Sequence, residues 1–596
     1  MKNGISRRTF LATAAAVAVA PRLGLAEQAH TAQQPLEEFD YGEVRLAGGP
    51  LGAQYDRMHA TYLALDNDRL LKVYRRHAGL PAPGANMGGW YDANDFVPGH
   101  TLGQYISGLA RMAKTTNDAA TREKTAALVG GFAATLGTKD LIFAGPKAET
   151  LWPSYIADKH LQGLVDAYRH AGVEQARALL PRVMRGAIPF IPEKGRDRVG
   201  KKDPPYDETY IMPETLFAAH ELTGEKIFRE RALAYLLDRE YFDPLARGED
   251  VLPGRHAYSH AIALSSAGKA YQVLGDEKYL RAMQTAYRLL ETEQQYATGG
   301  WGPNETFIAP HQGLLYESLH TTDDHFETPC GSYAAIKLAR YLLCATGDAR
   351  YADGLERVLF NTLLAVKEPD GDGDYPYYST YGDHARKVYY QKKWPCCSGT
   401  LVEGVADYVK DIYFRSADGV AVAFYAPSVV HFERHGAQVT LTQETEYPLS
   451  ETIHLRVATT ATMAFALRLR IPAWTASKFS LSVNGKPVHA DVRKGFAVVE
   501  RTWSDGDRVK LELPMHFRTE AIDDLHTKVA ALLHGPLVYV ALNPSEGAQP
   551  MAALDGLKPL ADARGLFVAR ESSETRVHVP FYFVRDERYT TYFEMV

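Results

Sequence analysis

The segment Leu102-Gly103-Gln104-Tyr105-Ile106-Ser107-Gly108-Leu109-Ala110-Arg111-Met112 carries apolar residues at 102, 105, 106, 109 and 112, and the chain reaches Asn117-Asp118 soon after. Such spacing returns to one face about every 3.6 residues, so it predicts an amphipathic helix that stops at a small polar turn. Leu161, Leu164, Val165 and Tyr168 repeat the stripe and run into Gly172. Further turns at Gly224-Glu225, Gly275-Asp276 and Gly347-Asp348 give a helix-pair period of roughly 50 residues, the mark of stacked helical hairpins. A stretch of about 350 residues at that period holds six to seven pairs, which predicts a closed (α/α)6 barrel over 27–417. The last interval is longer and contains Glu305 and the Glu327/Cys330 segment. Chain inserted on one face of a repeat array is where function concentrates.

After Phe414 the period changes. Met463, Phe465, Leu467, Leu469 and Ile471 alternate, as do Val509, Leu511 and Leu513, with Asn484-Gly485 and Asp505-Gly506 as turns. The expected fold class is therefore a mixed α + β multidomain chain. The barrel leads into a β-sandwich at 418–545, and a weakly patterned β-rich extension occupies 546–596.

The 596 residues carry a net charge of -6 with both signs mixed, which implies no nucleic-acid or anionic-membrane partner. Aromatic residues make up 11%, including 35 tyrosines, a composition that suits sugar stacking and helix interfaces alike. Ser6-Arg7-Arg8-Thr9-Phe10-Leu11 is a twin-arginine pattern, followed by a short apolar run from Leu11 to Ala20 and a cleavage point after Ala26. That run is too short to span a bilayer, so no stable membrane insertion is expected, and the mature protein is expected to be periplasmic or secreted.

Three of the four cysteines fall in two short segments, Glu327-Thr328-Pro329-Cys330 and Trp394-Pro395-Cys396-Cys397. Adjacent cysteines cannot easily bond to each other. Cys330, Cys396, Cys397 and Glu327 make a credible tetrahedral zinc set, although they lack the paired CxxC spacing that marks most zinc sites. Two buried thiols with an ordinary disulfide is the other reading. Cys344, in an apolar run, reads as a structural thiol.

With these segments in hand, the chain resembles the β-L-arabinofuranosidase group, glycoside hydrolase families 127 and 146 and their relatives. The resemblance runs through Val44-Arg45-Leu46, Asp68-Arg69-Leu70-Leu71, Gly88-Gly89-Trp90, Gly99-His100 and Val251-Leu252-Pro253-Gly254-Arg255-His256. It continues through Gly299-Gly300-Trp301-Gly302, Glu305-Thr306-Phe307, Cys330-Gly331-Ser332-Tyr333 and Cys396-Cys397. It implies an (α/α)6 barrel followed by β-sandwich modules, and retaining hydrolysis of a glycoside or oligosaccharide. By the same resemblance Cys396 is the zinc-bound nucleophile, Glu305 the acid/base, and Glu327, Cys330 and Cys397 the other ligands of Zn2+. A thiolate cluster beside Glu305 should help keep that carboxyl protonated by like-charge repulsion.

His256 matches a sugar-contacting histidine, with Trp90, His100 and Trp301 as candidates for the same cup. The sequence departs from the pattern at Pro329, an extra residue between the glutamate and its cysteine. Gln104 stands where a histidine is common, and Asp158, Lys159 and His160 stand near another; these changes are expected on the substrate side. His260, one turn after His256, has no acidic companion in sequence, and Asp323-Asp324-His325 reads as a rim rather than a metal centre. The competing readings are a polysaccharide lyase or unsaturated-uronide hydrolase on a similar toroid, and a non-catalytic glycan-binding protein with structural zinc. They are separated by whether Glu305 and Cys396 face one cavity.

Overall fold

The computed structural model describes residues 34–596 apart from 201–203, 205, 207, 384, 545–553, 561–562, 572–573 and 596; the expected export segment at 1–26 lies outside the described residues. Six inner helices, Leu102–Thr116, Pro153–Ala171, Pro213–Thr223, Ala257–Leu274, Thr328–Thr346 and Cys396–Ala406, pack in that order, and the sixth returns to contact the first. The ring is closed. Outer helices Ala119–Leu136, Glu174–Ala187, Lys226–Tyr235, Glu277–Leu289 and Arg350–Val358 follow the first five, and Gly49–Ala64 covers the sixth.

The repeated turns share one conformation. Asn117, Gly172, Gly224, Gly275 and Gly347 each cap an inner helix with φ between 56° and 72°, the left-handed state that glycine and asparagine adopt at least cost. All five lie at the C-terminal rim of the inner helices. The longer connections lie at the opposite rim, where the inner helices begin, and they build the site.

The final inner helix runs through Val402, Val405 and Val409 into the strand Tyr413–Ser416 without a linker. Two sheets follow. One orders Glu37–Glu38, Tyr413–Ser416, Gly419–Val422, Met463–Arg470, Phe496–Trp503 and Asp491–Arg493; the other has seven strands and ends on Val44–Leu46 beside Ser428–Arg434. The segment before the first helix therefore belongs to the sandwich, not to the barrel as expected. Arg470 is fully buried between sandwich and barrel, where it meets Asp353 at 2.5 Å and Glu356.

A third sheet spans Phe517–Ala521 to Tyr592–Glu594. Its strand Leu537–Leu542 pairs with Val529–His534 on one side and Glu574–Pro580 on the other. The boundary expected at 545 therefore cuts through a single sheet. Short strands separated by irregular chain hid this continuity from a search for alternation. Among the described residues no helix is long and apolar enough to cross a membrane.

Candidate active site

Each thiol of the cysteine group sits in the first turn of an inner helix. Cys396 and Cys397 open Cys396–Ala406 after the extended Pro395, Cys330 lies in the first turn of Thr328–Thr346, and Glu327 is the residue that caps that helix. A helix N-terminus stabilises negative charge and favours thiolates. The approach to the pair is fixed by packing. Trp90 N–H donates to the Lys393 carbonyl at 3.0 Å, and a Cβ at Gly89 would come within 2.0 Å of that oxygen. This close approach explains why glycine precedes Trp90.

Cys330 Sγ lies 3.2 Å from Cys397 Sγ and 3.6 Å from Cys396 Sγ, while Glu327 Oε1 lies 3.6 Å from Cys396 Sγ and 4.0 Å from Cys397 Sγ. No disulfide is present, and all four groups are buried. A tetrahedral zinc ion with ordinary bond lengths needs S···S near ~3.8 Å and S···O near ~3.6 Å. Cys330–Cys396 and Glu327–Cys396 are close to these spacings, and the shorter Cys330–Cys397 pair would have to open slightly around such an ion; the donor types fit it, and the extra residue Pro329 is absorbed in the helix start. Glu327 Oε2 is buried without a hydrogen-bond partner, and no Lys or Arg forms an ion pair with the group among the described residues. Burial, with the charges of Cys396 and Glu305, pushes the Glu327 carboxyl well above its usual range. Burial likewise raises Cys330 and Cys397. At Cys396 burial is opposed by hydrogen bonds from the Cys330 and Cys397 thiols, by His100 and by Tyr377, which hold this one thiol well below the usual range.

Glu305 lies in a tight turn with φ 59°, next to Asn304 at φ 53°; two successive non-glycine residues in the left-handed region mark stored strain. Its Oε1 accepts from Tyr378 OH at 2.7 Å and its Oε2 from His256 Nε2 at 3.2 Å. His256 Nδ1 accepts from Ser259 N–H, which leaves the proton on Nε2, facing Glu305. Burial raises this carboxyl, but His256, Tyr378 and Tyr377 outweigh it and hold the pKa at about 2. The expected protonation of Glu305 by thiolate repulsion is thus not what the resting site favours, because Tyr378 and His256 donate to the carboxylate directly.

Glu305 and Glu327, the carboxylate of the thiol group, border one cavity of about 850 Å³, and the three thiols lie behind Glu327 rather than on its lining. Glu305, Glu327, His256, Trp90 and Tyr377 border it. Tyr377 OH lies 3.8 Å from Cys396 Sγ, and oxygens of Glu305 and Glu327 lie within 4.8 Å of each other. Cys396 keeps 2% of its surface exposed beneath this floor.

Trp90 is on the wall as expected, packed against Phe96, Tyr377 and Tyr390. Three other expected sugar contacts are elsewhere. Trp301 is buried against Phe307 and Phe326 and borders a separate small void, because the strand-like turn at 295–301 points the indole outward from the cup. His160 stacks on Phe132 at 4.5 Å and bonds Tyr74 OH at 3.0 Å, on the outer-helix side of its helix. His100 is fully buried behind Trp90; its Nδ1–H donates to the Val97 carbonyl, and its Nε2 has no partner.

Gln104 is also below the floor, bonding Glu403 at 2.9 Å and Tyr155 at 3.0 Å, and Lys159 pairs with Asp158 at 2.9 Å. These departures from the family pattern therefore do not line the cup. His260 is satisfied by Asp197 at 2.9 Å, and His325 is a buried structural group rather than part of a rim.

The residues missed in sequence are tyrosines. Tyr377, Tyr378 and Tyr390 come from the glycine- and aspartate-rich connection before the cysteine pair, and Tyr258 follows His256; among 35 tyrosines nothing distinguished them.

Residues 43–410 match the sequence family described as the β-L-arabinofuranosidase GH127 catalytic domain, and 419–515 match its GH127 middle domain. A non-reducing end β-L-arabinofuranosidase of Bifidobacterium longum subsp. longum is 24% identical over 345 residues, 54% of this chain. The chain spans about half the length of that curated relative, 50%. A solved GH127 β-arabinofuranosidase superposes with TM-score 0.75 at 18% identity, covering 95% of this chain and 98% of its own. A GH127 β-L-arabinofuranosidase from Geobacillus stearothermophilus T6 gives 0.70 at 20% identity, covering 93% and 100%.

Proposed function

Since the chain belongs to the GH127 β-L-arabinofuranosidase family, we propose that it is an exported, retaining glycoside hydrolase acting on β-L-arabinofuranosides. In this reading Cys396 is the nucleophile, Glu305 the acid/base, and Glu327, Cys330, Cys396 and Cys397 hold zinc. The observation that carries it is that Glu305, Glu327 and Tyr377 border one cavity while Cys396 Sγ lies directly behind them, 3.6 Å from Glu327 Oε1 and 3.8 Å from Tyr377 OH. Bound zinc would keep the thiols ionised at neutral pH and neutralise the buried charge.

The chain's own groups do the rest. Trp90 and Tyr390 offer aromatic faces to the sugar and keep water off the reacting carbon. The Cys396 sulfur attacks the anomeric carbon, the C–S bond forming as the C–O bond to the leaving group breaks, and Glu305 gives its proton to the departing oxygen. Water then attacks the same carbon, passes a proton to Glu305 and releases the thiolate. Because the Tyr378 hydroxyl and the His256 Nε2–H hold the resting Glu305 as a carboxylate, it must take up that proton from solvent as substrate displaces one of them. Two inversions at one carbon give net retention. The twin-arginine pattern at Ser6-Arg7-Arg8 supports export of a protein already folded around its metal.

The test combines metal analysis of the mature protein with ¹H NMR of the sugar first released from 4-nitrophenyl β-L-arabinofuranoside. About one zinc per chain and a β-configured first product are expected. An inverted first product, or full activity in metal-free protein, would sink the reading.

A further inference from the structure

The family matches stop at residue 515, yet the sheet beyond it touches both segments that flank Glu305. One is the short helix Leu314–Thr321, whose residues Leu314, Glu317, Ser318 and Thr321 border the cavity. The loop between strands Phe517–Ala521 and Val529–His534 holds this helix at its start. Tyr316 N–H donates to Asp523 Oδ2 at 3.2 Å, and the Tyr316 ring stacks on His526 at 4.0 Å with 17° between the planes. His526 is itself fixed by Asp523 Oδ1, which accepts from its backbone N–H at 2.7 Å and from Nδ1 at 2.8 Å. Gly313, at φ 67°, is packed so closely on the His526 ring that a Cβ there would lie 2.7 Å from it.

The chain leaving the helix also meets the turn before Glu305. Thr322 donates to Asn304 Oδ1 at 2.9 Å, and Asn304 N–H donates to the Asp324 carbonyl at 2.6 Å, directly before Glu305. The other segment carries Tyr377 and Tyr378. There Tyr589 donates its hydroxyl to the Thr380 carbonyl at 2.7 Å and its N–H to the Ala385 carbonyl at 2.9 Å.

We infer that the 522–528 loop of the third sheet is part of the active site's scaffold, and that Asp523 and His526 are positioning residues that set the leaving-group side of the cavity through the Leu314–Thr321 helix. The geometry gives the side. Glu327 forms the floor with Cys396 behind it, so a glycosidic oxygen protonated by Glu305 must carry its leaving group outward. Glu317 and Thr321 are the exposed polar residues of the wall it meets there. A large leaving group uses that wall and a small aryl group does not.

This inference rests on the glycosidase reading, and its test keeps the two apart. Wild type, Asp523→Ala, Asp523→Asn and His526→Ala are assayed on a β-L-arabinofuranosyl disaccharide and on 4-nitrophenyl β-L-arabinofuranoside, with metal content measured alongside. For Asp523→Ala and His526→Ala, KM for the disaccharide should rise about tenfold with kcat little changed, the pattern of lost uniform binding. Both constants for the aryl substrate and the metal content should stay within about twofold of wild type. Asp523→Asn, which keeps an accepting oxygen, should recover most of the disaccharide KM. Equal losses on both substrates in His526→Ala and Asp523→Asn would make the loop merely structural, and no loss on either would remove it from the site. Either result overturns the inference while wild-type turnover leaves the glycosidase reading standing; a wild type inactive on both substrates removes the reading and the inference together.

Discussion

Two buried clusters of ionisable groups share one face of the final inner helix, with Cys396 and Thr400 at its start and Glu403, Asp407 and Asp411 further along. At the far end the anions are answered by cations. Arg111 contacts Asp166 at 2.9 Å and Asp407 at 3.0 Å, and Arg340 contacts Asp407 at 3.0 Å and Asp411 at 2.8 Å. Burial alone would raise Asp407, but Arg111 and Arg340 hold it well below the usual carboxylate range. At the near end three thiols and Glu327 converge with no such cation; buried oxygens without a hydrogen-bond partner occur at both ends, Glu327 Oε2 and Tyr258 OH here and Glu403 Oε1 and Asp411 Oδ2 there, so the difference lies in the cations. A buried charge without compensation costs several kcal/mol and is retained only when something else supplies the missing partner. The self-neutralised end reads as framework and the unbalanced end as a binding site, although both are equally buried.

Changes at the two ends should separate metal and activity from stability. The largest effect is expected from Cys396→Ser, which removes the proposed nucleophile: turnover of 4-nitrophenyl β-L-arabinofuranoside should vanish while the far-UV circular dichroism stays native. Cys330→Ser leaves the sulfur but breaks the donor set, and zinc content by elemental analysis should fall with activity. Substantial turnover by Cys396→Ser would remove the thiolate mechanism. Glu305→Gln comes next. It keeps shape and loses the proton, so activity on glycosides with poor leaving groups should drop by roughly 10²–10⁴, the usual contribution of a positioned acid. Aryl substrates should suffer less, and azide should rescue the second step.

At the framework end, Arg340→Met should cost about 3–5 kcal/mol of stability, because it leaves Asp407 and Asp411 short of a cation. Urea denaturation would read it, with zinc content unchanged. The pH dependence has a definite sign. Asp407 has a depressed folded pKa, so its contribution is complete above the unfolded value near about 4 and is lost as pH falls below it. The gap between wild type and Arg340→Met should therefore narrow in acid. A gap that widened, or metal lost together with stability, would merge the two clusters into one.

How far the sequence carried this contrast depends on the kind of signal. The barrel was legible because a 3.6-period apolar stripe recurs and five of the six inner helices end on a residue able to adopt positive φ, such as Gly172 or Gly275. Cys330, Cys396, Cys397, Glu327 and Glu305 were legible through short motifs that keep their order in the chain. His160 and Trp301 were not, since a motif fixes which residue is present but not which way its helix or turn is rotated. The charged framework escaped notice because Arg111, Asp166, Arg340 and Asp407 come from four separate helices and meet only once the ring closes. The third sheet escaped because its strands are short and their pairing is long-range.

The smallest effect sharpens the comparison most, because Tyr258 lies between the two clusters. Its hydroxyl is buried and unpartnered, it borders the cavity, and burial together with the charges of Cys330, Glu403, Cys396 and Glu327 holds its proton firmly in place. A framework hydroxyl in that position would be satisfied by a neighbour, as Tyr333 is by Arg111 at 3.1 Å. Other buried hydroxyls, such as Tyr55 OH, also lack a partner, but Tyr258 borders the cavity, and in the proposed reaction a sugar hydroxyl is the partner that arrives there. Tyr258→Phe removes that single oxygen. One neutral hydrogen bond is worth about 0.5–1.5 kcal/mol, so kcat/KM should fall by up to about tenfold. Deleting an unpaired buried hydroxyl costs the fold nothing, so the urea midpoint should hold or rise. Assaying a series of monodeoxy aryl arabinofuranosides should reveal one on which mutant and wild type perform equally, and that sugar lacks the hydroxyl Tyr258 binds. If the variant instead loses stability and keeps its rate on every sugar in the series, Tyr258 belongs with Asp407 and Arg340.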